Sequence, residues 1–367
     1  MNTIIKTKKH SKTNVTDNSI AMNSKWITPK ALSQYRTNFY GNKRALLTNI
    51  ADHIPKGTKS ILDLFGGSGI LSFYLKRQGY QVHTNDIMRY PFFRFKSLIQ
   101  NNNVILNNDD LDLLREPNPN KQNYLTRYYG QTFGESNCQF LKTWAANIER
   151  LDDPVKKDIA VFIPITVISR YLKYAAINFS PLGTLTGNQD LLDVDLEKEV
   201  CSYALEIFPE FIFDNGFKNE CYQRDAVELV SEIEADVAYI DSPYSCRGGA
   251  YESCYAWLDD LASILSGHGE IIDNPYDAKS DLEPYTYFGN RKSAITGFAK
   301  LFERSRHIPH IILSYNTTSD ISPEEIMSIA KVYRNKVSLP FRKECRRPIT
   351  NMESKHRKTE EIIIVCE

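Results

Sequence analysis

Residues 60–86, SILDLFGGSGILSFYLKRQGYQVHTND, decide the fold. Ser60–Phe65 is a short apolar run that ends in Gly66-Gly67-Ser68-Gly69. From Ile70 onward apolar side chains recur at helical spacing, and Gly79 supplies a C-terminal stop. Tyr80–Asp86 then predicts a short strand ending in an acid. Strand, glycine turn, helix and strand form the opening βαβ unit of an α/β fold.

The turn Asp63-Leu64-Phe65-Gly66-Gly67-Ser68-Gly69 predicts a ligand site. Glycines let the backbone turn sharply and approach a ligand closely. The helix that follows offers unpaired N–H groups and a partial positive charge. The spacing is not GxGxxG, which weakens a nicotinamide reading; the carboxylate of a methionine moiety suits the same turn. Asp86 lies 17 residues beyond Gly69, a spacing that suits an acceptor for ribose hydroxyls. A solvated turn acid explains Asp86 equally well if it stands alone, and strand ends often carry glycine for packing only. Upstream, Phe39-Tyr40-Gly41-Asn42-Lys43-Arg44 precedes the helical run ALLTNIADHI. A helix-start turn is the default there, although Lys43 is placed to face a cofactor carboxylate.

Further out, residues 1–24 are polar and lysine-rich and predict a disordered tail. Between 95 and about 215 the character changes. Asn and Asp crowd 101–112, Pro117 and Pro119 break the chain, and 137–150, 155–177 and 194–207 predict helices. The α/β pattern returns at 218–245, where Asp236–Ile240 predicts a buried strand ending at Asp241. His310–Tyr315 and Glu360–Cys366 predict two more strands. The expected division is 1–24 tail, 25–100 first part of the core, 101–215 helical domain and 216–367 second part of the core.

The 367 residues suit two domains, and 42% hydrophobic with 25% charged residues is ordinary for a globular chain. Lys+Arg and Asp+Glu are each 45, so what matters for any polyanionic partner is clustering rather than net charge. No apolar run reaches the roughly 20 residues of a membrane span, and no apolar stretch follows the N-terminal lysines as a secretory signal requires. The 7 Cys (138, 201, 221, 246, 254, 345, 366) show no metal or disulfide spacing, so reduced thiols in a cytoplasmic protein are expected.

Asp241-Ser242-Pro243-Tyr244 follows the strand VAYI. An acid, a rigid turn and an aromatic at a strand's carboxyl end suit the methylation of an amine conjugated to a ring, whose lone pair is delocalised. A carboxylate accepting one N–H and a backbone carbonyl taking the other draw the nitrogen toward tetrahedral geometry. Proline fixes the turn, and tyrosine offers a stacking face for a base drawn out of a duplex. Positioning supplies most of the rate, because the cofactor carries the activated methyl. A structural acid in a strand-end turn is the alternative for this tetrapeptide taken alone.

Together these segments resemble the D12 class of adenine-specific DNA methyltransferases, the Dam-like group. YGNKRALL (40–47) is similar to the family's N-terminal motif, DLFGGSG (63–69) to its cofactor loop and NDI (85–87) to its ribose-binding acid. YQRDAVEL (222–229) resembles the segment whose acid and next residue border the cofactor adenine, here Asp225 and Ala226. DSPY (241–244) resembles the catalytic DPPY, ILSYN (312–316) the strand after it, and RRPITNMESKHRKTEEIIIV the closing pattern. Two positions depart from the family: Ser242 stands where a proline is usual, and Asn42 where a glycine is.

The resemblance implies a Rossmann-like, seven-stranded S-adenosylmethionine-dependent methyltransferase core with an inserted, mainly helical target-recognition domain. It implies Asp241, Ser242, Pro243 and Tyr244 as catalytic, and Tyr40, Lys43, Asp63, Phe65, Gly66, Gly67, Ser68, Gly69, Asp86, Asp225 and Ala226 as cofactor-binding. It implies S-adenosyl-L-methionine as cofactor, double-stranded DNA as substrate, a monomer, and a separately acting restriction endonuclease as counterpart. No metal is expected, since methyl transfer to nitrogen is a direct displacement.

Lys331, Arg334, Lys336, Arg342, Lys343, Arg346, Arg347, Lys355, Arg357 and Lys358 predict a phosphate-binding face. In the insert, Arg127, Tyr128, Tyr129, Arg170, Lys173 and Tyr174 are candidates for reading bases or for core packing. Ser245–Tyr251 reads as a flap over the flipped base or a plain surface loop. Cytosine N4 or RNA adenine as target, a nicotinamide oxidoreductase, and a DNA-binding protein on an inactive scaffold are the competing functions.

Overall fold

The computed structural model describes residues 35, 43–119, 133–171, 193–243, 256–267, 287–288, 290–317, 319–346 and 358–367; the side chains of 256, 257, 345, 346 and 358 are also outside the description. Tyr40, Asn42, Tyr244, the 245–251 loop, the 1–24 tail, Arg127, Tyr128, Tyr129, Lys173 and Tyr174 therefore lie outside the described residues.

The strands are β1 (Ser60–Asp63), β2 (Gln81–Asn85), β3 (Glu220–Tyr222), β4 (Val237–Ile240), β5 (His310–Asn316), β6 (Val337–Arg346) and β7 (Lys358–Cys366). They form one seven-stranded sheet in the order β3-β2-β1-β4-β5-β7-β6. The first five are parallel, and β7 runs antiparallel between β5 and β6. This is the Rossmann-like methyltransferase sheet that the resemblance implied. Strand order reverses between β1 and β4, the switch point where α/β sheets leave a crevice outside their carboxyl ends.

Helices cover both faces. On one face Ile61, Val82, Val237, Tyr239 and Ile312 share a core with α1 (Leu47–Ala51), α2 (Ile70–Arg77), α3 (Arg89–Phe95), α4 (Asn108–Arg115), α5 (Glu135–Ile148), α6 (Pro154–Arg170), α7 (Leu196–Ser202) and α9 (Ala256–Leu265). On the other, Leu62, Ala238, Ile240, Ile311 and Leu313 pack against α8 (Ala226–Leu229), α10 (Arg291–Arg304) and α11 (Pro323–Ala330). Alternate residues of each strand thus serve opposite cores, as a doubly covered parallel sheet requires.

The helices between β2 and β3 are fastened to the sheet by buried polar groups. Lys76 on α2 donates from Nζ to the Asn101 carbonyl (2.7 Å) and lies over the Phe213 ring (4.8 Å), so one side chain grips both ends of the segment. In α6, Pro164 lacks an N–H and leaves the Ala160 carbonyl without its helical donor. The Trp144 indole of α5 donates to that carbonyl at 2.8 Å and stitches the two helices together.

Two strands depart from the sequence expectation. β6 was read only as a basic surface run; Pro340 interrupts its alternation, and the pairing with β7 shifts register between Ser338 and Phe341. β3 has three residues and sits at the sheet edge, too short for periodicity to reveal.

Candidate active site

The parallel strands set their carboxyl ends along one edge, and the sequence-predicted residues gather there. The glycine loop follows β1, Asp86 follows β2, Asp225 lies three residues beyond β3, and Asp241 follows β4. Phe65, Gly66, Gly67, Asp86, Asp225, Asp241 and Pro243 are partly exposed on this edge, whereas Ser68, Gly69, Ala226 and Ser242 are buried behind it.

The glycine loop is shaped by its surroundings. Gly67 (φ 49°) and Gly69 (φ 67°) adopt left-handed backbone that other residues resist. A Cβ on Gly66 would meet Phe95 Cζ at 2.6 Å and Thr84 Cγ2 at 2.7 Å, so the loop lies tight on the core with its other side outward. The Gly66 N–H donates to the Asn85 carbonyl (2.7 Å), and the Gly67 N–H donates to Asp86 Oδ2 (2.9 Å). Asp86 Oδ1 accepts from the Met88 N–H (3.0 Å), so the carboxylate ties the loop to the start of α3. Burial pushes its pKa up to about 6 against these hydrogen bonds.

Asp63 lies beneath the loop at 1% exposure. Its Oδ2 accepts from Ser72 Oγ (2.6 Å), which accepts from Thr84 Oγ1 (2.9 Å), while Oδ1 has no hydrogen-bond partner among the described residues. Burial, with Asp241 and Asp86 nearby, raises its pKa to about 7. Asp225 caps α8, accepting from the Val227 (2.8 Å) and Glu228 (3.1 Å) N–H groups through Oδ1. Phe65 meets Phe288 edge to face, with centroids 5.3 Å apart.

Lys43 is buried, and its Nζ lies 2.8 Å from Asp241 Oδ1. The sequence reading set it opposite a cofactor carboxylate; the structure brings it onto the catalytic candidate. Asp241 also raises the pKa of Tyr239, which burial already pushes well above its ordinary value and whose hydroxyl donates to Ser314 Oγ (2.7 Å). Ser242 is 2% exposed, and its hydroxyl has no hydrogen-bond partner among the described residues.

Asn85 was missed from the sequence. It donates from Nδ2 to the carbonyls of Leu64 (3.1 Å) and Arg224 (3.0 Å) and accepts from the Arg224 N–H (3.1 Å). One side chain thereby joins the ends of β1, β2 and β3, where the glycine loop, Asp86 and Asp225 begin. A polar residue at the buried end of a strand was the available signal.

The basic C-terminal run does not all face solvent. Arg334 is buried and donates to the carbonyls of Ile308 (2.7 Å) and Ser305, so it is a structural clamp and not part of a phosphate-binding face. Lys336 pairs with Glu367 and Arg342 with Glu360, while Lys343 is exposed and reaches the Ala45 carbonyl at 3.3 Å. Arg347, Lys355 and Arg357 lie outside the described residues. Among the described residues no group of three or more His, Cys, Asp or Glu is placed to hold a metal, and no helix is long and apolar enough to cross a membrane.

A family model for D12 class N6 adenine-specific DNA methyltransferases matches residues 39–258, more than half of the chain and the whole span from Lys43 to the tetrad. The chain belongs to that family. It is an adenine-specific DNA methyltransferase by that membership. It is 27% identical over 351 residues to the Type II methyltransferase M2.HphI of Haemophilus parahaemolyticus, covering 90% of this chain and 97% of that protein. It is 28% identical over 315 residues to the modification methylase StsI of Streptococcus sanguinis, covering 80% of this chain and 46% of that protein. The Type II methyltransferase M.FokI of Planomicrobium okeanokoites is 27% identical over 331 residues, again 80% of this chain and 46% of the relative. The chain thus spans nearly all of the first relative and about half of the other two.

Proposed function

We propose that this methyltransferase binds S-adenosylmethionine along the carboxyl edge of β1–β4 and methylates N6 of adenine at specific sites in double-stranded DNA, with the target base flipped from the helix. The observation that carries the reading is the convergence of the glycine loop, Asp86, Asp225 and Asp241 on one edge at the switch point. The residue set fits the cofactor: the partly exposed glycine loop for the methionine end, Asp86 for the ribose hydroxyls, and Asp225 with Ala226 beside the adenine. Phe65, Ser68 and Gly69 shape the loop, Asp63 lies beneath it, and the family resemblance adds Tyr40 as a cofactor contact. When bound, S-adenosylmethionine supplies an electrophilic methyl on a sulfonium.

Asp241 accepts one N6 proton and the Ser242 carbonyl the other, which turns the nitrogen lone pair toward the incoming methyl. Pro243 fixes that turn, and Tyr244 stacks on the flipped base. Lys43 offsets the negative charge gathered by Asp63, Asp86 and Asp241. The 101–215 segment reads the target sequence, and Lys331 and Lys343 contribute to holding the phosphate backbone. The names of the Type II relatives support a modification role; the counterpart proposed is a separately acting restriction endonuclease, and the enzyme is proposed to be a cytoplasmic monomer.

The test is incubation of the protein and Asp241→Ala with unmethylated genomic DNA and labelled S-adenosylmethionine, followed by digestion to nucleosides. Label in N6-methyladenine, lost in the variant, supports the reaction and the role of Asp241. No label in DNA, with cofactor binding retained, moves the reading to RNA or to an inactive scaffold.

A further inference from the structure

The first turn of α3 is held by two carboxylates from distant parts of the chain. Asp86 takes the Met88 N–H at 3.0 Å. The next donors are taken by Asp259 of α9, whose Oδ1 accepts from the Tyr90 N–H at 2.9 Å, with the Arg89 N–H as a second donor. The helix has no cap of its own, since the residue at the capping position is Met88 and makes no side-chain cap bond. Asp259 therefore supplies in trans what Ser, Thr or Asp supplies at an ordinary helix start. A second tie runs beside it, from the Arg89 guanidinium to Ser263 Oγ, one turn further along α9.

Asp259 stands 15 residues beyond Tyr244, on the helix that follows the catalytic tetrad and its glycine-rich loop. Through Leu258, Leu261, Ala262 and Leu265, α9 shares the core that also takes in α3, α5 and α6. One helix thus touches the turn that carries Asp86 and the helices between β2 and β3, and it is joined by sequence to the tetrad.

We propose that Asp259 is a positioning residue for cofactor binding: it fixes the first turn of α3 and so aims Asp86 at the ribose, making cofactor affinity depend on where α9 sits. This rests on the assignment of Asp86 to the ribose given above. The coupling is reciprocal by linkage: whatever moves α9 after the tetrad engages a base changes the grip on the cofactor, and cofactor binding biases α9 in turn.

The experiment is the dissociation constant of S-adenosylmethionine for the full-length protein without DNA, measured by calorimetry on wild type, Asp259→Ala and Asp259→Asn. Thermal unfolding of each reports folding. Asp259→Asn keeps the acceptor oxygen and is expected to bind within about threefold of wild type; Asp259→Ala loses the cap and is expected to bind about fivefold or more weakly. In steady state the alanine change raises KM for the cofactor and leaves kcat at saturation within about twofold, a split that general loosening of the fold does not give. Should Asp259→Ala not fold, Asp259→Ser, whose hydroxyl is too short to reach the turn, takes its place. The inference is overturned if the cap-less variant binds as wild type does, or if asparagine weakens binding as much as alanine. A wild-type protein that binds no S-adenosylmethionine overturns the functional reading instead.

Discussion

Replacing Asp63 by asparagine removes a buried titratable group while keeping the acceptor that Ser72 uses. Asp63 is 1% exposed, with one carboxylate oxygen unpartnered and two further acids close by. Its pKa rises from 3.8 to about 7, with burial as the largest cause. The folded state thus binds a proton more tightly than the unfolded chain, so this group's stabilising contribution is full below pH 3.8 and is lost as pH rises through about 7. That interval corresponds to ~4 kcal/mol at most, the cost of keeping the carboxylate ionised inside the fold. The substituted amide stays neutral and carries no such pH dependence, but it places a new donor where Oδ1 lies, at a cost of about 1–3 kcal/mol that does not vary with pH. Absolute stability is therefore a poor readout and the slope a good one. Urea unfolding at pH 5.5 and pH 8.0 is expected to show wild type losing about 2 kcal/mol more than Asp63→Asn over that interval. Equal slopes would show that Asp63 is already ionised at pH 5.5, and the burial argument would fail.

Three further changes probe the same edge. Gly66→Ala drives a methyl into Phe95 and Thr84; about 1–3 kcal/mol of stability should be lost in urea unfolding, with weaker S-adenosylmethionine binding by calorimetry, and an unchanged protein would mean the loop has slack behind it. Lys43→Met leaves Asp241 without its 2.8 Å counterion and should cost up to ~3 kcal/mol, less than a fully buried pair because Asp241 is 18% exposed; Asp241→Asn in the same chain should restore most of it, and additive losses would refute the pairing. Ser242→Ala removes a buried hydroxyl with no hydrogen-bond partner and should leave methylation within about threefold and stability equal or up to ~1 kcal/mol higher; a large loss of kcat would show that the hydroxyl takes part in the reaction.

The βαβ opening was legible because burial on both faces writes β1 as a continuous apolar run and the left-handed positions admit glycine. Asp86 and Asp241 were legible for a related reason: in a parallel sheet a polar residue that ends an apolar run sits at the carboxyl edge. What stayed hidden depends on pairing between distant segments. Ser72 and Thr84 look like stray polar residues in a helix and a strand until register brings them onto Asp63. Asp259 went unremarked, because nothing in its local sequence says that it caps a helix whose Tyr90 lies 169 residues earlier in the chain. Arg334 looked like its basic neighbours, because charge alone does not tell a clamp on Ser305 and Ile308 from a phosphate ligand.

The charge layout has its own logic. Asp63, Asp86 and Asp241 belong to adjacent strands, and the first is driven up in pKa partly by the other two. Gathering three acids costs stability, and Lys43 offsets only part of it. A cofactor with a sulfonium and an ammonium is the ligand such an edge is suited to, since each cation relieves repulsion that the folded chain otherwise carries. DNA, a polyanion, is repelled by the same edge. In a chain with 45 basic and 45 acidic residues, an acidic cofactor edge leaves a matching excess of basic charge elsewhere, and exposed Lys331 and Lys343 lie on β6 and the turn before it. On the proposed function the phosphates would lie on basic surface while only an uncharged base enters the acidic site, so flipping the base would separate two electrostatic demands that one surface does not meet.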